Sequence, residues 1–159
     1  VVKRLDKRIK KTSLRKGKTK RKKVILAGSL IVNDRNHLLL LHRKKHDHYE
    51  TPGGKIKLKK GESINEETLW TNAYRNLIEE LGNNVEVINY NYFTHANFQI
   101  PDGRIGVMHK FLVNISGEPI INEPKLFSKL EWIHLDELEQ FNLSPDLKLM
   151  LGKIKQLKE

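Results

Sequence analysis

Residues 75–82 read Arg-Asn-Leu-Ile-Glu-Glu-Leu-Gly, and side chains of these types at this spacing could do chemistry. On a helix turning about 100° per residue, Asn76 and Glu80 lie within about 40° of each other and Asn76 and Glu79 within about 60°. Three oxygen-bearing side chains therefore share a face, while Leu77 and Leu81 point elsewhere. Arg75 and Glu79 form an i, i+4 pair. Adjacent carboxylates repel, and the dipole makes a helix C-terminus a poor place for two of them. A divalent cation would relieve both problems. Carboxylates with a backbone carbonyl are hard oxygen ligands suited to magnesium or manganese. A bare Glu-Glu pair is more often only a solvated acidic patch, so the surrounding sequence has to decide.

A helix that positions these residues is expected from about Glu66 to Leu81. Leu69, Ala73, Leu77 and Leu81 make an apolar stripe at four-residue steps, and Gly82 is a natural stop. Upstream, residues 24–33 are apolar and β-branched and 37–42 return as a second strand, with Asn33-Asp34-Arg35-Asn36 as the turn. Residues 85–98 and 105–115 read as two further strands about a Pro101-Asp102-Gly103 turn, and 130–134 as a last strand. Residues 145–157 read as an amphipathic helix opened by Ser144-Pro145. Strands mixed with a central and a terminal helix argue for an α+β domain, a sheet covered by helices.

The chain has 159 residues, one ordinary domain in length, and no cysteine. Disulfides, cysteine zinc sites and thiol nucleophiles are excluded. No apolar run reaches the roughly 18–20 residues that span a bilayer, so a cytoplasmic protein is expected, with nuclear import an alternative fit to the basic start. The net charge of +11 is unevenly placed: residues 1–23 hold 9 Lys, 4 Arg and 1 Asp, or +12, leaving −1 for residues 24–159. A basic arm (1–23) thus precedes a neutral domain (24–159). Its first half has Val2, Leu5 and Ile9 at weak helical spacing, and its second half has nothing to bury. The arm is either a solvated tail or a contact for the phosphates of RNA or another polyanion. It has no aromatic side chain on which bases could stack.

The segment around the two glutamates resembles the Nudix box, G-x5-E-x7-R-E-U-x-E-E-x-G-U with U aliphatic. Gly61, Glu67, Arg75, Leu77, Glu79, Glu80 and Gly82 fall on that pattern. Tyr49-Glu50-Thr51-Pro52-Gly53-Gly54-Lys55 resembles the family's stretch ahead of the box. Leu38-Leu39-Leu40-Leu41-His42-Arg43 is similar to its strand ending in Arg, and Asn122-Glu123-Pro124-Lys125 with Leu130–Leu138 to its closing strand and turn. The likeness covers nearly all of residues 24–157 and is nearest to MutT-like nucleotide pyrophosphohydrolases. It departs at three places. The Glu after Arg is Asn76, which cannot ionise and can only orient a water or offer a carbonyl oxygen. Gly54 stands seven residues before Gly61, so either Gly61 holds the box position or residues 55–65 are an insertion and Gly54 keeps it; the better match of Pro-Gly-Gly-Lys favours Gly54. Asn83 replaces an aliphatic residue.

The resemblance implies a Nudix-type α/β/α sandwich with a central mixed sheet and the box helix beside it. It implies magnesium, or manganese, on Glu79, Glu80 and the Gly54 carbonyl, and hydrolysis of a diphosphate bond in a nucleoside triphosphate or nucleoside-diphosphate-linked small molecule. Glu80, Asn76 and Arg75 are the candidate catalytic residues, with Arg75 pairing with Glu79 or Glu67. Arg43, Lys55 and Glu123 are candidate substrate contacts. The base is open among Glu80, Glu50 and Glu123, with His109 last. His46-Asp47-His48 invites a zinc reading but lacks evident further ligands and fits a loop at a pocket rim equally well. Trp132, Tyr49 and Phe98 are stacking candidates, though core positions suit them better. The rival is a weakened Nudix-fold binding module docked on RNA or a ribonucleoprotein through the arm, which Asn76 and the arm's charge favour.

Overall fold

The computed structural model describes residues 22–158, so the expectations for residues 1–21 lie outside the described residues. Strands β1 (Lys23–Ile31), β4 (Gly53–Lys55), β5 (Val85–Gln99) and β6 (Ile105–Gly117) form one mixed sheet in the order β4-β1-β6-β5. Strands β2 (His37–Arg43), β3 (His48–Glu50) and β7 (Phe127–His134) form a second sheet in the order β3-β2-β7. Helix α1 (Glu66–Leu81) and helix α2 (Pro145–Lys155) complete the domain, with a 3-10 turn at Leu135–Gln140 before α2. The parallel β1–β6 pair lies between antiparallel partners.

Two apolar clusters lie on opposite faces of the sheets, which is why β2 reads as an unbroken leucine run. Leu39 and Leu41 pack with Leu69, Ala73, Leu77 and Leu81 of α1, and Leu38 and Leu40 pack with Leu147, Met150 and Ile154 of α2. Alternate side chains of a strand point to opposite faces, and here both faces are covered by a helix.

Helix α1 starts at a reciprocal cap. Asn65 accepts from the Thr68 backbone N–H, and the Asn65 N–H donates to Thr68 Oγ1, satisfying donors that the first turn leaves free. The helix ends at Gly82, whose φ of 85° is a conformation that favours glycine. Its last carbonyls are capped by the 120–122 loop: Ile120 N–H donates to Leu81 O, Asn122 N–H to Glu80 O and Asn122 Nδ2 to Glu79 O.

The two expected helices and five expected strands are present with shifted ends: β1 stops at Ile31, β7 begins earlier at Phe127 and α2 stops at Lys155. The three-residue strands β3 and β4 and the 3-10 turn add to them. Strands that short carry no periodicity of their own and exist because β2 and β1 supply the partners.

Candidate active site

Strand β4 is the piece that brings the Gly-Gly loop to α1. Gly53 and Gly54 pair with Gly28 and Ala27 of β1. The chains approach so closely that a Cβ on Gly53 would sit 2.8 Å from Gly28 Cα. A Cβ on Gly54 would sit 2.9 Å from Asn76 Oδ1. Gly61, by contrast, lies in open space: a Cβ there would meet nothing within 4 Å, and its φ is +87°. It serves a turn, and Gly54 is the glycine against the helix.

The helix side of this contact holds Asn76 and Glu80, both buried. Glu80 Oε2 accepts from the Gly53 N–H at 2.9 Å, and Asn76 Nδ2 donates to Asn72 O at 3.0 Å. Burial pushes the Glu80 carboxyl up to about 8, with Glu50 and Glu123 adding like charge and the Gly53 N–H and Arg43 opposing. Glu79 shares the helix end but is half-exposed. Arg75 Nε lies 4.0 Å from Glu79 Oε1, while its Nη2 donates to the Lys55 carbonyl at 3.2 Å. Arg75 therefore ties α1 to β4 as well as facing Glu79. Asn72 adds a second tie, accepting from the Lys57 N–H at 2.7 Å.

Arg43 closes the site from β2. Its Nε and Nη2 donate to Glu50 at 2.7 and 3.0 Å, a two-point contact, and His48 Nε2 lies 2.8 Å from the same carboxylate. Burial would raise the Glu50 carboxyl, but His48 and Arg43 outweigh it and hold it below the usual range. Glu50 is thus a fixed acceptor. The fields of Glu80 and Glu123 both reach Arg43, so β2, β3, α1 and the 120–123 loop converge on one charged centre. Lys55 is exposed and lines the adjoining cavity.

That cavity, of about 470 Å³, is bounded by Arg43, His46, His48 and Glu50 at the charged end and by Leu26, Met108, Phe98 and Ile100 along its walls. Phe98 is therefore a wall residue, while Trp132 and Tyr49 pack at the edges of the two cores. Asp47 turns to His42 at 2.8 Å, away from His46 and His48, whose rings stack at 5.2 Å, and His48 is taken by Glu50, so His46-Asp47-His48 does not converge as one ligand set. Among the described residues no three His, Cys, Asp or Glu side chains form a ligand set by themselves. His109 lies off the cavity, 2.8 Å from Tyr92 Oη, and its pKa is lowered by burial and by His95.

Three contributors were not singled out from sequence. Thr51, Lys110 and Asp146 all line the cavity, a place for which neither a lysine within a strand nor an aspartate after a proline carries a local signal. Only the apolar neighbours of Lys110 hinted at burial.

The family model of the NUDIX domain matches residues 22–152. The chain belongs to the Nudix family and is a hydrolase by that membership. It is similar to the crystal structure of a MutT NUDIX hydrolase from Burkholderia pseudomallei, at 26% identity and a TM-score of 0.69, covering 83% of this chain and 98% of that one. The E. coli ORF135 protein is similar at 24% identity and a TM-score of 0.67, covering 86% and 91%. The MutT protein from Methanosarcina mazei Go1, at 17% identity, 0.68 and coverage of 86% and 96%, shares the fold. No curated protein matches the sequence significantly. No described helix is long and apolar enough to cross a membrane.

Proposed function

We propose that the chain catalyses magnesium-dependent hydrolysis of a diphosphate bond in a nucleoside triphosphate or a nucleoside-diphosphate-linked small molecule. The observation that carries this is the Glu80 carboxyl, pushed up to about 8 and bonded to the N–H of Gly53, which lines a cavity of about 470 Å³. A buried acid with two more carboxylates in its field fits a divalent cation, which would favour its ionised form. The donors at hand are hard oxygens: Glu80, the more exposed Glu79 and the Gly54 carbonyl. Manganese fits the same set. When bound, magnesium would neutralise phosphate oxygens and acidify a water.

The protein's own residues do the rest. Arg75 holds the end of β4 against α1 through the Lys55 carbonyl, and Asn72 holds the residues just after it through the Lys57 N–H, which keeps Gly54 beside the face of Glu80. Asn76 presents Oδ1 towards Gly54 and can orient, but not deprotonate, an attacking water. Water oxygen attacks phosphorus, the bridging P–O bond breaks, and the leaving phosphate departs with the bond's electrons. The water's proton passes to Glu80 or Glu123. Glu50 is already committed to Arg43 and His48. Arg43 and Lys55 supply positive charge beside the phosphates, Arg43 from a fixed position. Such positioning and charge stabilisation is most of what phosphoryl transfer asks of a protein.

Asn76 in place of a carboxylate supports a second reading, a weakened enzyme that binds RNA or a ribonucleoprotein through residues 1–23. Turnover of a nucleotide panel with magnesium separates the two. Release of phosphate or pyrophosphate supports the hydrolase, and ligand binding without release supports the binding module.

A further inference from the structure

The sheet face opposite the cavity carries an exposed run of rings. Leu26 and Met108 line the cavity, and Ala27 and Phe111 of the same two strands face α1 instead. On this second face Trp70 of α1 stacks on Tyr90 of β5, with ring centroids 3.9 Å apart and planes 8° apart, and Tyr74 stands beside Trp70 at 5.9 Å. Tyr92 continues the run to His109 at 5.8 Å, and His109 to His95 at 5.5 Å. Tyr92 Oη lies 2.8 Å from His109 Nδ1, which fixes the tyrosine ring. Tyr74, Tyr90, Tyr92 and His95 are all exposed. Trp70, Tyr74, Ile88 and Tyr90 border an open groove of about 500 Å³.

Single exposed rings need no explanation, but contiguous ones mark an interaction surface. Strand β5 is at the edge of its sheet, yet a partner strand fits it poorly. Its register shifts between Val87 and Asn89 and between Tyr92 and Thr94, and such bulges blunt edges that stay unpaired. What remains open is the flat side of the rings, a surface on which nucleobases stack. Beyond His95 the same face carries the exposed amides of Asn97 and Gln99, and Gln99 is level with Ile105 and Lys23. Lys23 is where the basic arm joins the domain. From there to the level of Tyr90, Val113 and Ile31, the sheet measures about 26 Å. The residues before Lys23 can reach at most about 75 Å, so the arm's charge can serve the whole run of rings. The Tyr92 hydroxyl is raised by burial and by the negative charge of Glu66. A polyanion is therefore drawn by the arm, and the face adds stacking.

We propose that the exposed rings of α1 and β5 form a stacking platform for single-stranded RNA, with bases on Tyr74, Tyr90 and Tyr92 and phosphates neutralised by residues 1–23. RNA is the occupant because Asn97 and Gln99 offer both donors and acceptors to a ribose 2′-hydroxyl, which DNA lacks. The platform lies on the other face of the sheet from the cavity and stands whether or not a diphosphate is cleaved.

The test is equilibrium binding of a labelled oligouridylate to the full chain at several salt concentrations, beside an oligodeoxyuridylate and an abasic ribose-phosphate oligomer of the same length. Wild type should bind oligouridylate at least about tenfold more tightly than the abasic oligomer and about threefold more tightly than the deoxy oligomer, comparisons that need no protein variant. Tyr90→Leu/Tyr92→Leu keeps apolar bulk and removes two rings. It should lose at least about tenfold in oligouridylate affinity, with the salt slope unchanged because no phosphate contact is removed. Tyr90→Phe/Tyr92→Phe keeps the rings and should bind like wild type. The proposal is overturned if the abasic or the deoxy oligomer binds as tightly as oligouridylate, if the leucine variant binds unchanged, or if the phenylalanine variant binds as weakly as the leucine variant. It is also overturned if wild type is a dimer that the leucine variant dissociates, since the face would then be a contact between copies.

Discussion

The backbone N–H of Gly53 donates to Glu80 Oε2 at 2.9 Å, joining the Gly-Gly strand to the last turn of the box helix. This bond holds a carboxyl in a place where burial and the charges of Glu50 and Glu123 oppose its ionisation.

A pH dependence follows. Without metal, the folded Glu80 carboxyl titrates near 8 rather than at its ordinary 4.5. A raised carboxyl favours the fold while it is protonated, so its contribution is full below about 4.5 and is lost as pH rises through about 8. Glu80→Gln should remove that loss and raise metal-free stability at pH 8 by more than about 1 kcal/mol. The same substitution should weaken magnesium binding markedly. Denaturant unfolding at pH 5 and pH 8, with and without magnesium, checks both; equal magnesium affinity in variant and wild type would remove Glu80 from the site.

Asn76 faces Gly54 from within the same buried contact. Asn76→Glu places a carboxylate there and is expected to raise hydrolysis, by up to the roughly 10²-fold of a modest general base. Steady-state turnover of one small substrate measures it. Unchanged or lower activity in a folded variant would mean that another residue serves as base.

The two candidate box glycines separate by substitution. Gly54→Ala would press its Cβ to 2.9 Å from Asn76 Oδ1, which should shift β4 from α1, cost on the order of 1–3 kcal/mol and lower turnover. Gly61→Ala meets no neighbour and carries only the strain of its positive φ, about 1–2 kcal/mol, with turnover kept. Loss of turnover at Gly61 and not at Gly54 would reverse the assignment.

Much of the frame was legible in the sequence because its signals are local. The leucine run of β2, the stripe of α1 and the Pro101-Asp102-Gly103 turn each carry their own periodicity or backbone chemistry. What was not legible depends on distant partners. The Arg43–Glu50 pair spans the turn between β2 and β3, strand β4 exists through its register with Gly28, and the burial of Lys110 follows from Thr51 and Asp146, 59 and 36 positions away. A charged residue looks the same in sequence whether water or a counter-ion satisfies it.

The basic arm should bind polyanions independently of the centre. Residues 24–159 carry a net charge of −1, so deleting residues 1–23 should abolish RNA binding and spare turnover of a small nucleotide. For the full chain, affinity for single-stranded RNA should fall with salt at a slope of about −0.7 per phosphate neutralised, with little sequence preference. Binding at several salt concentrations for both proteins tests this, and unchanged RNA affinity in the truncated chain would discard the arm's role.

The central claim is a magnesium-dependent diphosphate hydrolase centred on Glu80. Its most direct measurement is phosphate and pyrophosphate release from a panel of nucleoside triphosphates and nucleoside-diphosphate-linked compounds, with magnesium and with chelator, for wild type and Glu80→Gln. The account predicts release from at least one compound by wild type, abolished by chelator and lowered by about 10²-fold or more in Glu80→Gln. Release that persisted in chelator or in Glu80→Gln, or no release from any compound with magnesium, would contradict it.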